Sequence, residues 1–290
     1  MLLYGPQWIY LLPMCFFLPV SVLWERRYLI TLGLIAGIII WPVMGFNVAF
    51  PKKNIPDTAF TLRVVTYNVQ RWEVNKEEFA ALLDTVQPDI VAIQECASPI
   101  WLEVPSQWYT KRSVYSMVVS RYPIIDSYVL PRVPETSGLY CTIKTPGGII
   151  GFCSVDLLTP RRSLASVLDP VRIFNFDYVD TAQEGIDFRW AESENLFKWI
   201  KGFGDEKILA GDFNLTTDSP IYRKYWSGYQ NAFTETGLGF GYTKKTRINI
   251  FSYQSRIDHI LSTPGIRPVR TWLGPDFRSD HLPVVAEFVY

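Results

Sequence analysis

From Leu2 to Leu23 the chain is almost wholly apolar, and from Tyr28 to Phe50 it carries no charge at all. Only Glu25, Arg26 and Arg27 stand between the two runs. This restricts the fold more than any other feature. A bilayer core needs about 20 apolar residues of helix, and runs above roughly 18 are read as spanning segments. Trp8, Tyr10, Trp24, Tyr28, Trp41 and Phe50 lie in or near the bands where aromatic rings meet lipid headgroups. A cleaved signal peptide fits less well. No basic segment precedes the first run, which is broken by Pro6 and Pro13, and the second run is too long for a signal core. The sequence therefore predicts a membrane anchor of two transmembrane helices over residues 1–50, in contact with the lipid bilayer, and a linker over 51–60. Arg26 and Arg27 favour a cytoplasmic turn, which sends the remainder to the extracytoplasmic face; Lys52 and Lys53 argue the reverse. The reading taken is an integral membrane protein with its catalytic part extracytoplasmic.

After residue 61 the pattern becomes short β-rich runs separated by helical stretches. Strands are predicted over Leu62–Tyr67, Asp89–Ile93, Tyr115–Ser120, Ile124–Leu130, Lys207–Ala210, Ile257–Leu261 and Leu282–Val289, with a hairpin from Leu139–Thr145 to Ile149–Val155 around Pro146-Gly147-Gly148. Lys76–Val86 has helical spacing, with Phe79, Leu82, Leu83 and Val86 on one face. A second helix is read over Phe188–Gly202, and a short one near Ser219-Pro220. Residues 157–187 show no periodicity and read as a long loop holding Arg161, Arg162 and Arg172. Strands alternating with helices and hairpins indicate an α/β fold with mixed sheets. The 28 basic and 28 acidic side chains cancel, so bulk charge gives no case for non-specific nucleic-acid binding. Of four cysteines, Cys141 and Cys153 flank the hairpin turn; a disulfide is open to them, but two buried thiols suit the residue type better.

Chemistry-bearing side chains gather at the predicted strand ends: Thr66-Tyr67-Asn68, Gln94-Glu95, Gly211-Asp212-Phe213-Asn214 and Ser279-Asp280-His281. Hard oxygen ligands for a divalent cation, a base for water and donors for a phosphoryl oxygen are what metal-assisted phosphodiester hydrolysis requires. Asp212 and Asn214, two apart, project to the same side of an extended strand.

In this order, and with Arg256-Ile257-Asp258-His259 between them, the motifs resemble the endonuclease/exonuclease/phosphatase superfamily, which includes deoxyribonuclease I, exonuclease III, sphingomyelinases and inositol-polyphosphate 5-phosphatases. The resemblance runs from about residue 61 to the C-terminus and implies a four-layer α/β/β/α sandwich over 61–290. It also implies a Mg²⁺ (or Mn²⁺) ion held by Glu95, with Asn68 and Asp280 completing its surroundings. Asp212 would orient or deprotonate the attacking water, and Asn214 would donate to a phosphoryl oxygen or to that water. His281 would meet the phosphate oxygen that gains charge or serve as proton carrier, with Asp258 holding its other ring nitrogen. His259, the only other histidine, is expected to pack structurally. Arg161, Arg162 and Arg189 are candidate substrate contacts, and Tyr242-Thr243 resembles a loop at the rim of the site.

One departure stands out. In Ser154-Val155-Asp156-Leu157, Asp156 occupies the place where the family pattern has a histidine. An ionised carboxylate cannot donate to a phosphate and repels it. Asp156 is read as a second metal ligand, as a protonated acid, or as the mark of an impaired hydrolase kept as a membrane-tethered binding protein. The main reading is a membrane-anchored, divalent-metal-dependent phosphoesterase. Its substrate is a phospholipid headgroup or nucleic acid, and no obligate protein partner is inferred.

Overall fold

Alternation of buried side chains builds two sheets that share one core. Leu62 and Val64 point one way along their strand and Val65 and Tyr67 the other, the period of two that a strand imposes. The computed structural model describes residues 7–52, 59–70, 74–96, 104–131, 137–159, 176–248 and 251–290. One sheet has six strands in the spatial order Arg267–Leu273, Val284–Val289, Thr61–Asn68, Ile90–Gln94, Ser116–Ser120 and Tyr109–Arg112. The other runs Gln230–Asn231, Asp258–Ser262, Lys207–Asp212, Gly148–Asp156, Ser137–Thr145 and Ile124–Val129.

Each sheet contains a parallel pair: Thr61–Asn68 with Ile90–Gln94, and Gly148–Asp156 with Lys207–Asp212. A parallel pair needs a crossover, which a helix usually supplies. Helix Lys76–Val86 serves the first, its N-terminus closed by a reciprocal capping box between Asn75 and Glu78. Helix Phe176–Lys201 precedes the last strand of the second. Leu62, Val64 and Ile90 meet Phe152 and Ile208 between the sheets. Phe79, Leu82 and Val86 cover the outer face of the first sheet, and Leu196 and Ile200 that of the second. The layers are therefore helix, sheet, sheet, helix.

Several expectations change. Helix Phe176–Lys201 begins inside the stretch read as a loop. Its first turns lack an apolar repeat, so periodicity missed them; side-chain pairing such as Gln183 Nε2 donating to Asp187 Oδ1 at 2.8 Å helps carry the helix beyond its packed half. Strands Tyr109–Arg112 and Arg267–Leu273 and the hairpin Lys244–Ile248/Phe251–Ser255 are additional. Cys141 pairs with Phe152 and Cys153 with Tyr140, so the two thiols lie on opposite faces of the sheet, free and buried.

The N-terminal prediction needs the largest correction. Among the described residues no helix is long and apolar enough to cross a membrane. The two runs form α-helices Leu12–Leu23 and Tyr28–Ile38, of 12 and 11 residues. At about 1.5 Å per residue these α-helical segments rise roughly 18 and 16 Å against a core of about 30 Å, and a 3₁₀ turn at Gln7–Leu11 leads into the first. The second apolar run is shortened because its end belongs to the sandwich. After a π turn at Ile39–Val43 the chain bends through Gly45, in the left-handed region at φ 71°, and Asn47–Val48 pairs with Leu238–Gly239. Asn47 Nδ2 donates to the carbonyls of Phe233 (2.8 Å) and Gly237 (2.7 Å), and Phe46 packs edge-on against Phe240. The uncharged end of the 28–50 run thus docks on the sandwich.

Candidate active site

Strand register gathers the acids. Asp156 stands opposite Asp212 in the parallel pair, and Asp258 stands opposite Asp212 in the antiparallel pair on its other side. Three aspartates thus form a row across neighbouring strands at one end of the second sheet. Asn68 lies opposite Gln94 at the corresponding end of the first sheet, and Glu95 follows it in the left-handed region at φ 55°. The sheets are tied across this end by Asn68 Nδ2, which donates to Glu95 Oε1 and Asp212 Oδ2, both at 3.1 Å. A deeper tie runs from Thr66 Oγ1 through Gln94 to Ser154 Oγ.

His281 enters from the segment before the last strand. Its Nδ1 faces both oxygens of Asp258, at 2.9 and 3.1 Å, and its Nε2 lies 3.6 Å from Asp212 Oδ2 and 3.7 Å from Asp280 Oδ1. One ligand atom from each of Asp212, Asp258 and His281 lies within 4.8 Å of the others. Burial alone would lower the His281 pKa, but the charges of Asp258 and Asp212 outweigh it and raise the value. Asp212 is raised to about 7 by burial and then by Asp258, against the pull of His281, the Asn214 N–H and Lys244. Asp156 is raised well above the usual carboxylate range by burial and by Asp212, Glu95 and Glu192. Like charges in a desolvated place shift in this direction.

Not every predicted site residue faces this cluster. Asn214 sits past the strand end at φ 50°, so the extended-strand argument for a side shared with Asp212 does not apply to it. Its Nδ2 donates to Leu157 O at 2.7 Å, while its backbone N–H donates to Asp212 Oδ1 at 2.8 Å. Arg189 is buried, its guanidinium donating to the carbonyls of Leu158 and Asn214; it braces two loops and makes no opening toward substrate. Asn68 Oδ1 accepts the Gln70 N–H at 2.9 Å, so this residue orients the two carboxylates by its amide nitrogen. Arg161 and Arg162 lie outside the described residues. His259 donates from Nε2 to Leu215 O at 2.8 Å and receives Asn231 Nδ2 at Nδ1, at 3.1 Å. Burial pushes its pKa down to about 4, as a structural histidine requires.

Sequence reasoning missed two residues, Lys244 and Gln70. Lys244 Nζ pairs with Asp280 Oδ2, and its backbone bridges to that of His281. Gln70 Oε1 accepts the Asp280 N–H at 2.8 Å, and Ser279 Oγ donates to Asn68 O at 2.7 Å. Lys244 directly follows the Tyr242-Thr243 rim motif, which was the signal available for it.

The donor set suits a divalent cation. Asp280 Oδ1 is buried with no hydrogen-bond partner among the described residues, and neighbouring acids raise each other's pKa; a cation between them relieves both. The sequence model of the endonuclease/exonuclease/phosphatase family matches residues 65–281. A search of curated proteins finds no match. Solved structures with the same fold include TDP2 from D. rerio in complex with a single-strand DNA product, 14% identical over 79% of this chain and 98% of its own, with a TM-score of 0.55. The 3' phosphatase NExo from Neisseria, bound to a product DNA hairpin, is 18% identical over 79% of this chain and all (100%) of its own, at TM-score 0.55. A family protein from Leptotrichia buccalis C-1013-b is 16% identical with the same coverages, 79% and 100%, and the same TM-score, 0.55. The fold, the row of acids and the match over 65–281 together make this chain a member of the endonuclease/exonuclease/phosphatase family.

Proposed function

We propose that the chain is a divalent-metal-dependent phosphoesterase. The observation that carries this reading is the convergence of Asp212, Asp258 and His281, with ligand atoms within 4.8 Å, beside Glu95, Asp156 and Asp280. Glu95 and the unpartnered Oδ1 of Asp280 would hold Mg²⁺ or Mn²⁺, hard cations that take one or two protein carboxylates. Bound there, the ion polarises a phosphoryl oxygen and acidifies a water. Asp212, its carboxylate fixed by the Asn68 amide and the Asn214 N–H, takes the proton of the attacking water. His281, its tautomer set by Asp258, presents Nε2–H to the phosphoryl oxygen that gains charge. Asp156, kept protonated by its surroundings, donates where a histidine would have done so.

The test is hydrolysis by the purified full chain with Mg²⁺ or Mn²⁺ against DNA, RNA, phospholipids, sphingomyelin and inositol phosphates. Cleavage that is lost in Asp212→Asn and His281→Ala supports the reading; a full panel left intact with both metals sinks it. A second reading, a binding protein on an impaired hydrolase scaffold, draws on the position of Asp156 directly beside Asp212. Under it the wild type is inactive and Asp156→His restores turnover.

The N-terminal hairpin supports a lipid contact. Phe16, Leu23, Trp24, Ile30, Leu34, Ile38 and Trp41 are all exposed. On helix Leu12–Leu23 the successive residues Phe16, Phe17 and Leu18 are all exposed, as are Leu34 and Ile35 on the second helix, so apolar side chains leave these helices in several directions, and such helices belong in an apolar medium. Helices this short enter the acyl layer without either crossing it alone. Sedimentation of the full chain with phosphatidylcholine vesicles, lost in Leu34→Asp/Ile38→Asp, is the expected result; no sedimentation of the wild type refutes it. Lipid contact favours a phospholipid ester over nucleic acid as substrate.

A further inference from the structure

Between the base of the hairpin and the sandwich lie two cavities, of about 60 and 400 Å³. Arg256 lines both. The first is bounded by Val43 and Met44 from the hairpin and by Thr216 and Tyr242 from the sandwich; the second by Trp41 and Phe46. Half-buried, Arg256 stacks over the Phe233 ring with its guanidinium carbon 4.7 Å from the ring centre, and its one hydrogen bond is a long donation to Phe240 O at 3.4 Å. Among the described residues no carboxylate forms an ion pair with it. Asp218 acts on it only at longer range, together with Tyr222 and Tyr242. A half-buried guanidinium with five donors, one long bond and no ion pair within contact distance keeps donors to spare for an anion.

Position matters as much as charge. Arg256 stands two residues before Asp258, and Thr216 two after Asn214. Two extended residues span at most about 7 Å, so the cavities adjoin the rim of the catalytic cluster. In the second cavity one wall is the apolar stem of the hairpin and another holds Arg256, while the carboxylate in its lining, Glu235, is paired with Lys52 at 3.5 Å; in the first, Asp218 shares the lining with Arg256. That combination fits a molecule with an anionic head and an apolar body, and the larger cavity falls in the usual size range for a small ligand.

We propose that the hairpin–sandwich junction is a phospholipid headgroup site, with Arg256 taking the phosphate of an anionic lipid while the hairpin lies among its acyl chains. This rests on the lipid-contact reading of the hairpin and is independent of turnover. The experiment is vesicle sedimentation of the full chain, with phosphatidylcholine alone and with phosphatidylcholine mixed with phosphatidylserine. The wild type should bind the anionic mixture about fivefold better, the gain one arginine gives near a charged surface. Arg256→Met should bring that binding down to the phosphatidylcholine level, while Arg256→Lys keeps part of the preference; thermal melts confirm that each variant folds. Equal wild-type binding to both vesicles overturns the headgroup site but leaves the hairpin reading standing. No binding to either overturns both, as does a hairpin-mediated dimer that ignores vesicles. A thermal shift with inorganic phosphate but no vesicle preference assigns the pocket to a free anion and also overturns the proposal. None of these comparisons between wild-type samples depends on a variant folding.

Discussion

Gly211 is the residue on which the geometry of the acid row turns. A Cβ built there would fall on the carbonyl oxygen of Val155, with the carbonyl carbon at 2.6 Å and the Val155 nitrogen at 2.8 Å. These are backbone atoms of the adjacent parallel strand, so no side chain can swing aside. Carbon atoms rest at about 3.5 Å, so relieving the carbonyl-carbon contact alone parts the two strands by roughly 0.9 Å, and the closer oxygen makes this a lower bound. Asp212 is the next residue, in register with Asp156 across that seam. A shift of this size takes the Asn68–Asp212 bond from 3.1 Å to about 4 Å, beyond hydrogen-bonding reach. Misplacement of a reacting group by about 1 Å costs on the order of a hundredfold in rate. Overpacking costs about 1–3 kcal/mol, and each kcal/mol lowers the melting temperature of a chain this size by roughly 2–4 °C. The assay is metal-dependent hydrolysis of a chromogenic phosphodiester, together with a thermal melt. Gly228→Ala is the control: nothing lies within 4 Å of its added methyl, so it should stay within about 0.5 kcal/mol of wild type. If Gly211→Ala matches that control in both measurements, the close seam is not what positions Asp212.

Other outcomes follow from the same contacts. Asp258→Asn removes the largest charge holding the His281 pKa up, so the alkaline limb of the pH–rate profile should move to lower pH while kcat falls about 10²–10⁴-fold; an unmoved limb would separate His281 from that role. Arg189→Met should cost about 1.5–3 kcal/mol of stability with little change in KM, because its partners are the Leu158 and Asn214 carbonyls; a raised KM with an unchanged melt would make it a substrate contact. His259, buried neutral with its pKa at about 4, makes the fold lose stability as pH falls from about 6.5 toward 4, since the unfolded chain takes up the proton first. The loss over that window is about 3 kcal/mol, and His259→Gln should flatten it in urea melts run across pH; an unaltered slope would place the acid sensitivity elsewhere.

The catalytic half of the molecule was legible because strands announce themselves twice, by alternation and by what stands at their ends. Leu62–Tyr67 and the Pro-Gly-Gly hairpin were found by composition alone, and Gly211-Asp212 at the end of a buried run was found by type. What single residues could not show was register. That Asp156 and Asp258 flank Asp212 on either side depends on pairings between strands far apart in sequence. Asn214 misled for a related reason: two-residue spacing implies a shared face only while the chain stays extended, and here it turns left-handed. Lys244 lay hidden in a polar strand with no hydrophobic pattern to mark it. The N-terminal runs misled because absence of charge is a statement about surface, whereas crossing a bilayer is a statement about length. Chain that docks at Asn47 against Leu238–Gly239 is uncharged for reasons unrelated to lipid.

The charge inventory of the cluster sets the order in which its ligands bind. Glu95, Asp156, Asp212, Asp258 and Asp280 meet two cationic side chains, Lys244 and His281, and Lys244 is already paired with Asp280. An anionic phosphoester approaching this row meets more negative charge than positive, in a setting where screening is weak. Protonation of Asp156 and Asp212 lessens the repulsion but does not reverse it. A divalent cation does reverse it, and its own binding is favoured by the same excess of carboxylates. Substrate affinity should therefore depend on metal, quite apart from turnover. With Asp212→Asn, where hydrolysis is removed, equilibrium binding of a phosphodiester should be weak in chelator and strengthen by an order of magnitude or more with Mg²⁺. Equal binding in both conditions would mean that the acids are neutral in the resting protein and that the cation has no part in holding the substrate.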